Sequence, residues 1–330
     1  MSGGIRPGSR QSGGTTLPER QPLVAGSAKS RHRIAANRRR EKVAFGFLYA
    51  LLVAVVFPIV WLIGYIAYHG WRQVTWSFLT QPPNAIDATG GLLPAIVGTV
   101  YLMLGTIVLA LPLGVGGAVY LTEYAGRSRL VRVVRMAIVN LAGVPSIVHG
   151  LFGLGFFVLF VGGTIDRLVL RTDTPVWGQP CLLWGACTLA VVILPIIITA
   201  TEEALLSVPA SFREASLGLG ATKWQTIRRV VLPTALPGVL TGSILGVGRA
   251  AGETAPVMIT CAASFKPFLP AGLNDSAMLL PYHLYFVVTQ VPNPSLKLEA
   301  GIALVLVGLV LCINVGAVVL RTRAQRRRKW

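Results

Sequence analysis

Charged side chains are scarce in this chain of 330 residues, and acidic ones are the scarcest. Only 13% of the residues are charged, and aspartate and glutamate together number 12, against 30 lysines and arginines. A soluble domain carries about 25% charged residues, and a disordered one has few apolar residues, whereas 53% of this chain is apolar. The composition therefore argues against a soluble enzyme or a disordered protein and indicates an integral membrane protein.

Motifs for catalysis or metal binding are also missing. The four cysteines show no CxxC spacing, which argues against a zinc or redox framework, and we interpret them as packing residues. The chain lacks a GxxxxGK[ST] phosphate loop and an HExxH pair, and no hydrolase triad is visible. We therefore expect no enzymatic activity, no metal site and no cofactor in this chain. If ATP drives its function, a partner ATPase must bind the ATP and Mg²⁺.

Long apolar stretches are what the sequence does contain. A helix needs about 20 residues to cross a bilayer, and in lipid a helix satisfies its own backbone polar groups. The predicted fold class is an all-α membrane protein with six transmembrane helices, at approximately Val43–Tyr68, Leu92–Leu121, Val131–Val161, Cys181–Ala200, Leu232–Ala263 and Ala300–Leu320. The predicted domains are a disordered basic tail (1–42), a six-helix domain (43–320) and a basic carboxyl-terminal tail (321–330).

Small residues recur every four positions along the fifth predicted span, at Gly238, Gly242, Gly246 and Ala250. Such a row lies on one side of a helix and lets a neighbouring helix approach closely. We therefore predict a packing ridge on this span.

The positions of lysine and arginine predict the orientation of the spans. With both termini in the cytoplasm, the inner segments hold 24 of these residues and the outer loops hold 5. Segments rich in lysine and arginine remain inside, so we predict a multi-pass protein of the plasma membrane with both termini cytoplasmic. Most of the formal net charge of +18 lies on the two tails, where anionic lipid headgroups account for it without nucleic acid.

The longest inner loop, 201–231, carries a motif with fixed spacing. A short helix is predicted over Ser211–Leu219, after Pro209, and a helix projecting from a loop can bind in a groove of a soluble partner. The spacing resembles the EAA loop of the permeases of ATP-binding-cassette (ABC) importers, and the resemblance implies an ATPase contact formed by Arg213, Glu214, Ala215, Ser216 and Gly220.

Two opposite charges lie inside the fifth predicted span. Arg249 and Glu253 are four residues apart, a spacing that places them on one face of a helix. Charges at this depth cost about 2.5–3.5 kcal/mol each on insertion scales and line cavities or pair with each other. Pro256 lacks an N–H and should open the helix near Gly252. Arg249 could bind an oxyanion; the alternative is an ion pair that only locks the helix bundle.

Two segments give this pattern a family resemblance. Gly248–Pro256, of sequence GRAAGETAP, and Gly143–Gly153, of sequence GVPSIVHGLFG, resemble signature segments of the permeases of the bacterial phosphate-specific transport (Pst) system, and of the PstA type most closely. The resemblance implies a type I ABC importer permease with a cytoplasmic coupling helix. It also implies a substrate path formed by Arg249, Glu253, Thr254 and Ser146. Thr199 stands where many members have arginine, so no second path arginine can be assigned.

The same resemblance implies the partners: a homologous PstC-like permease, two PstB-like ATP-binding subunits and an external PstS-like phosphate-binding protein. The expected function is transport of inorganic phosphate into the cell through a path of which this chain forms half. A permease for sulfate or molybdate is one alternative, and a passive channel or a receptor is another. The EAA-type loop disfavours the second, because a channel needs no ATPase-docking helix.

Overall fold

The computed structural model describes residues 28–84, 90–126, 128–172 and 174–326, and the regular secondary structure in these ranges is helical, with two isolated β-bridges. The helices are α1 (Ala28–Gly70), α2 (Trp76–Thr80), α3 (Leu93–Val119), α4 (Arg129–Ala142), α5 (Ser146–Phe152), α6 (Leu182–Leu206), α7 (Ala210–Gly218), α8 (Lys223–Thr226), α9 (Leu232–Ala250), α10 (Ala255–Thr260), α11 (Leu280–Gln290) and α12 (Leu296–Arg326). The chain divides into two units, Met1–Ile63 and Gly64–Trp330. All described residues of the first unit belong to α1.

Three helices continue into π-helical segments, whose wider turns are rare and often mark functional sites. The turn Tyr120–Tyr124 extends α3. The segments Gly153–Gly162 and Ile165–Leu170 extend α5. The turn Ile227–Val231 joins α8 to α9, so that one long helix runs from Lys223.

In the described part of the chain, six helices are long and apolar enough to cross a membrane, as predicted: Glu41–Gly70, Leu93–Tyr124, Ser146–Leu170, Leu182–Leu206, Lys223–Ala250 and Leu296–Arg323. Residues 1–27 of the predicted tail 1–42 lie outside the described residues. Helix α1 begins at Ala28 and therefore includes the rest of that tail. In the predicted carboxyl-terminal tail, α12 continues to Arg326, and residues 327–330 lie outside the described part.

The predicted bounds of the third span are wrong. Its first part, predicted to begin at Val131, is a separate amphipathic helix, α4, and the membrane helix begins only at Ser146. Gly143 ends α4, and Pro145 disfavours the helical conformation of the residue before it. The apolar face of α4 made the two helices appear as one apolar run, although its arginines recur along the opposite side.

Helix α6 lies at the centre of the second unit, between α3 and α9, and carries Leu189, Ile193 and Ile197 into the core. The predicted ridge of small residues on α9 packs against it. A Cβ atom added to Gly242 would lie 2.2 Å from the Cβ of Ala200. Such close approach replaces the missing hydrophobic effect with van der Waals contact in a membrane, so the packing prediction is confirmed.

An aspartate fixes the end of the third span that lies away from α7. The buried carboxylate of Asp166 accepts hydrogen bonds from the N–H groups of Val176, Trp177 and Gly178, with donor–acceptor distances of 2.7–3.0 Å. A carboxylate that satisfies three consecutive backbone donors holds that loop in one conformation.

The segment between α10 and α11 is closed by an ion pair. Lys266 donates a hydrogen bond to the carboxylate of Asp275, which also accepts one from the N–H of Ala271. Burial acts to raise the pKa of the Asp275 carboxyl, but the bonds from Lys266, Ala271 and Ser276 outweigh it and hold the pKa below its usual value. The loop that follows the broken fifth span is therefore anchored.

Candidate functional site

The fifth span is interrupted at the segment that carries its two charges. Helix α9 ends at Ala250, and α10 begins at Ala255 with Pro256 in its first turn, where a proline needs no N–H partner. The N–H groups of Gly252 and Glu253 donate to the carbonyls of Arg249 and Ala250 in tight turns. The predicted local opening of the helix is confirmed, but the prediction that the helix continues to Ala263 is wrong.

Arg249 and Glu253 form an ion pair across this break, with 3.4 Å between Nε of Arg249 and Oε1 of Glu253. The arginine side chain is 44% exposed and the glutamate side chain 15%. Within the described residues, Nε is the only nitrogen of this guanidinium that donates a hydrogen bond. The two terminal amino groups thus remain available as a forked donor, in the geometry that suits an oxyanion.

Helix α5 packs against the far side of the same break. A Cβ atom added to Gly150 would lie 2.9 Å from the Cα of Pro256 and 3.3 Å from the carbonyl oxygen of Ala255. Only a glycine permits this approach. The structure therefore brings the segment 143–153 and the segment 248–256 together, with Ser146 half-buried at the start of α5 and Thr254 half-buried in the break.

Two polar residues near this region were not assigned to the site from the sequence. His149, one turn after Ser146, is buried, and its Nε2 has no hydrogen-bond partner in the described part of the chain. Asn314 in α12 contacts the backbone of the residue before Arg249, since a Cβ atom on Gly248 would lie 3.0 Å from its Oδ1. A lone asparagine inside an otherwise apolar run was the available signal for the second residue.

The predicted coupling helix is present as α7. Glu214 and Ala215 are exposed on it, and so are the apolar side chains of Phe212 and Leu217. Ser216 instead faces the chain and shares a hydrogen bond of 2.9 Å with the hydroxyl of Thr226. An exposed apolar group on a short helix is typical of a surface that a partner covers.

Gly220 ends this helix in the left-handed conformation, with φ of +84°. Its N–H donates to the carbonyl of Leu217. A residue with a Cβ is strained at such an angle. The glycine of the motif therefore has a local structural reason, which is to reverse the chain between α7 and α8.

Arg213 points away from the exposed face of α7. Its Nε and Nη2 donate to Oε1 of Glu123 at 3.2 and 2.9 Å, and its terminal nitrogens donate to the carbonyls of Val208 and Leu205 at 2.7 and 2.8 Å. In the described structure these donors are used within the chain, and the predicted ATPase contact of Arg213 stays a prediction. Glu123 was missed because it lies ninety residues earlier, although an acidic residue after an apolar run is conspicuous in so basic a chain.

A second arginine binds the same region from α4. Arg135 donates to the carbonyl of Leu121 at 2.9 Å and to Oε2 of Glu202 at 3.3 Å. In addition, the ammonium group of Lys223 lies 4.9 Å from the ring centre of Tyr124, which permits a cation–π interaction. Three cations from three segments thus converge on the π-helical turn Tyr120–Tyr124.

Comparison with known proteins identifies the family. Residues 110–330 match the model of the family described as "Binding-protein-dependent transport system inner membrane component". The chain belongs to this family of permeases. The phosphate transport system permease protein PstA 1 of Mycobacterium tuberculosis (strain ATCC 25618 / H37Rv) is 35% identical, over 89% of this chain and 91% of its own length. The probable ABC transporter permease protein YqgI of Bacillus subtilis (strain 168) is 34% identical, over 83% and 91%.

Solved structures show the fold of the permease. A chain of a bacterial alginate ABC transporter, in complex with an alginate-pentasaccharide-bound periplasmic protein, superposes with a TM-score of 0.62. The match covers 89% of the permease and 98% of that chain, at 14% sequence identity. The predicted fold class, a six-span permease of the type I ABC importer fold, is therefore confirmed.

No metal centre is found in the described part of the permease: no three His, Cys, Asp or Glu side chains there are grouped so that they could hold an ion. The prediction that ATP and Mg²⁺ are bound by a partner subunit stays a prediction.

Proposed function

We propose that this permease is the PstA-type subunit of an ATP-driven importer of inorganic phosphate and forms half of the path through the membrane. The observation that carries the proposal is the exposed guanidinium of Arg249 at the break in the fifth span, with two uncommitted amino groups. The names of the relatives, which include several phosphate transport permeases, support phosphate as the substrate.

The arrangement suits transient binding of an anion. Arginine presents parallel N–H donors that match two oxygens of phosphate. A bare arginine in a site of low dielectric constant would hold an anion too strongly, because conduction requires release as well as entry. Glu253 pairs with one nitrogen and reduces the net positive charge. Ser146 and Thr254 would supply hydroxyl groups on the same route.

The coupling helix supports the proposed orientation and the proposed ATPase partner. With both termini cytoplasmic, α7 lies on the side where PstB-like subunits bind and hydrolyse ATP with Mg²⁺. Glu214, Ala215 and the exposed apolar side chains of α7 then contact a groove of that subunit. Arg213, Ser216 and Gly220 position the helix from behind. A PstC-like permease completes the path, and a PstS-like protein delivers phosphate from outside.

The deciding experiment is ATP-driven uptake of labelled phosphate into proteoliposomes that contain the complete complex. Wild type is compared with Arg249→Gln, and with Arg229→Gln as a control, because Arg229 is exposed and lies in the π-helical turn Ile227–Val231, at the other end of the fifth span from the break. We expect uptake that arsenate inhibits and sulfate does not, and that the Arg249 variant alone loses.

Three other results would change the proposal. Undiminished uptake by Arg249→Gln would make Arg249 part of a structural ion pair. Inhibition by sulfate or molybdate would indicate a permease for other oxyanions. Phosphate movement without ATP would indicate a passive channel.

A further inference from the structure

We infer that the π-helical turn Tyr120–Tyr124, at the cytoplasmic end of the second span, is the hub that transmits movement of the coupling helix to the substrate path, with Arg213 and Arg135 as its positioning residues. The inference rests on the proposed function and goes beyond it. It assigns to Arg213 a role inside the permease, where the motif alone predicts an ATPase contact.

The first link joins the coupling helix to two spans. Arg213 commits three nitrogens to the carboxylate of Glu123, at the end of the second span, and to the carbonyls of Leu205 and Val208, at the end of the fourth. The arginine side chain is only 23% exposed and the glutamate side chain 11%. Coulomb attraction is weakly screened in such a position. A displacement of α7 must therefore move both ends or break this network.

The second link joins the same turn to α4. Arg135 donates to the carbonyl of Leu121 in the turn and to the carboxylate of Glu202 in α6. Helix α4 continues through Gly143–Pro145 into α5, whose Gly150 touches Pro256 just beyond the Arg249–Glu253 break. A contiguous series of packed and hydrogen-bonded groups thus leads from α7 to the candidate path.

The region around the turn Tyr120–Tyr124 also contains buried polar atoms whose hydrogen bonds would form only in a second conformation. Oγ1 of Thr122, Oγ1 of Thr201 and Oε1 of Glu202 are buried and have no partner among the described residues. A buried polar atom without a hydrogen bond raises the free energy of the conformation that holds it. A second conformation that satisfies these atoms would make the turn a two-state element, which is what transmission over such a distance requires.

The experiment measures phosphate uptake and ATP hydrolysis in the same proteoliposomes. The variants are Glu123→Gln, Arg213→Gln and the double variant, with Arg229→Gln as the matched control. Co-purification of the ATPase subunits with each permease variant is measured beside them. We expect every variant to retain the ATPase, and uptake per ATP to fall by about fivefold or more in both single variants, the usual size of a coupling effect. The double variant should be no worse than Arg213→Gln alone, since that variant already loses the contact with Glu123 together with the bonds to Leu205 and Val208.

The inference is overturned if the single variants transport with the wild-type yield per ATP, or if their losses multiply in the double variant. It is also overturned if Arg213→Gln releases the ATPase while Glu123→Gln retains it, because Arg213 would then dock directly. If the glutamine variants fail to assemble, Arg213→Lys decides. An ammonium group cannot reach all three acceptors, so partial uncoupling is expected and full coupling contradicts the hub. A wild-type complex that moves no phosphate refutes the proposed substrate instead.

Discussion

The contact between α5 and the broken fifth span gives a quantitative test through one methyl group. In Gly150→Ala the new Cβ would lie 2.9 Å from the Cα of Pro256, short of the 3.4–4 Å of ordinary van der Waals contact. The atoms that the new Cβ would meet, Cα of Pro256 and the carbonyl oxygen of Ala255, belong to the backbone and cannot rotate away. Helices α5 and α10 must therefore separate by about 0.5–1 Å. Overpacking of this kind costs about 1–3 kcal/mol, of which up to about 1 kcal/mol is offset by the higher helix propensity of alanine.

A net cost of up to about 2 kcal/mol on one step of the transport cycle slows that step by up to about 30-fold. The assay is phosphate uptake by the reconstituted complex, beside its thermal unfolding in detergent. Gly155→Ala is the matched control, because it lies in the same span and a Cβ there meets nothing within 4 Å. Slower uptake in Gly150→Ala alone supports the contact. Equal behaviour of the two variants would refute the assignment of Gly150 to the path.

Further substitutions test the coupling helix and the two anchored loops. Gly220→Asp places a Cβ at a φ of +84°, a strain of about 1–2 kcal/mol. Like Glu214→Lys, it should leave the permease in the membrane but abolish phosphate uptake. Normal uptake by these variants would contradict the role of α7 as the coupling helix. Because the pKa of Asp275 is lowered, its pairing with Lys266 stabilises the loop above the ordinary value of 3.8 and is lost as pH falls through the lower folded value. A spin label in the loop between α10 and α11 should therefore be as mobile in Asp275→Asn at pH 7 as it is in wild type only well below pH 3.8. Unchanged mobility would contradict the anchoring of this loop by Asp275. Asp166→Ala frees three backbone donors and should expose the following loop to protease added from outside, whereas Asp166→Asn, which keeps one acceptor oxygen, should be cleaved less.

Sequence predicted the parts of this structure that depend on local chemistry. Span number follows from apolar length, and the coupling helix follows from the spacing around Glu214. The break in the third span escaped, because the apolar face of α4 joins that of α5 and only Gly143–Pro145 marks the boundary. The partner of Arg213 escaped as well, since nothing local in a sequence indicates which of twelve acidic residues a distant arginine meets.

The arginine–glutamate pairs at helix ends differ in how fully the arginine is used, and this difference separates structure from transport. A helix end leaves carbonyl groups without intrahelical partners. Arg213 and Arg135 donate to such carbonyls in addition to their glutamates, so their donors are committed and their role is to hold helices together. Arg249 also lies at a helix end, yet among the described residues it donates only through Nε. A donor without a partner is costly where it is buried. The spare donors of Arg249 are tolerable because its side chain is 44% exposed at the break. The arginine with spare donors is therefore the one expected to meet the anion, and substituting it should abolish transport with little loss of stability, whereas substituting Arg135 should lower stability together with the uptake per ATP.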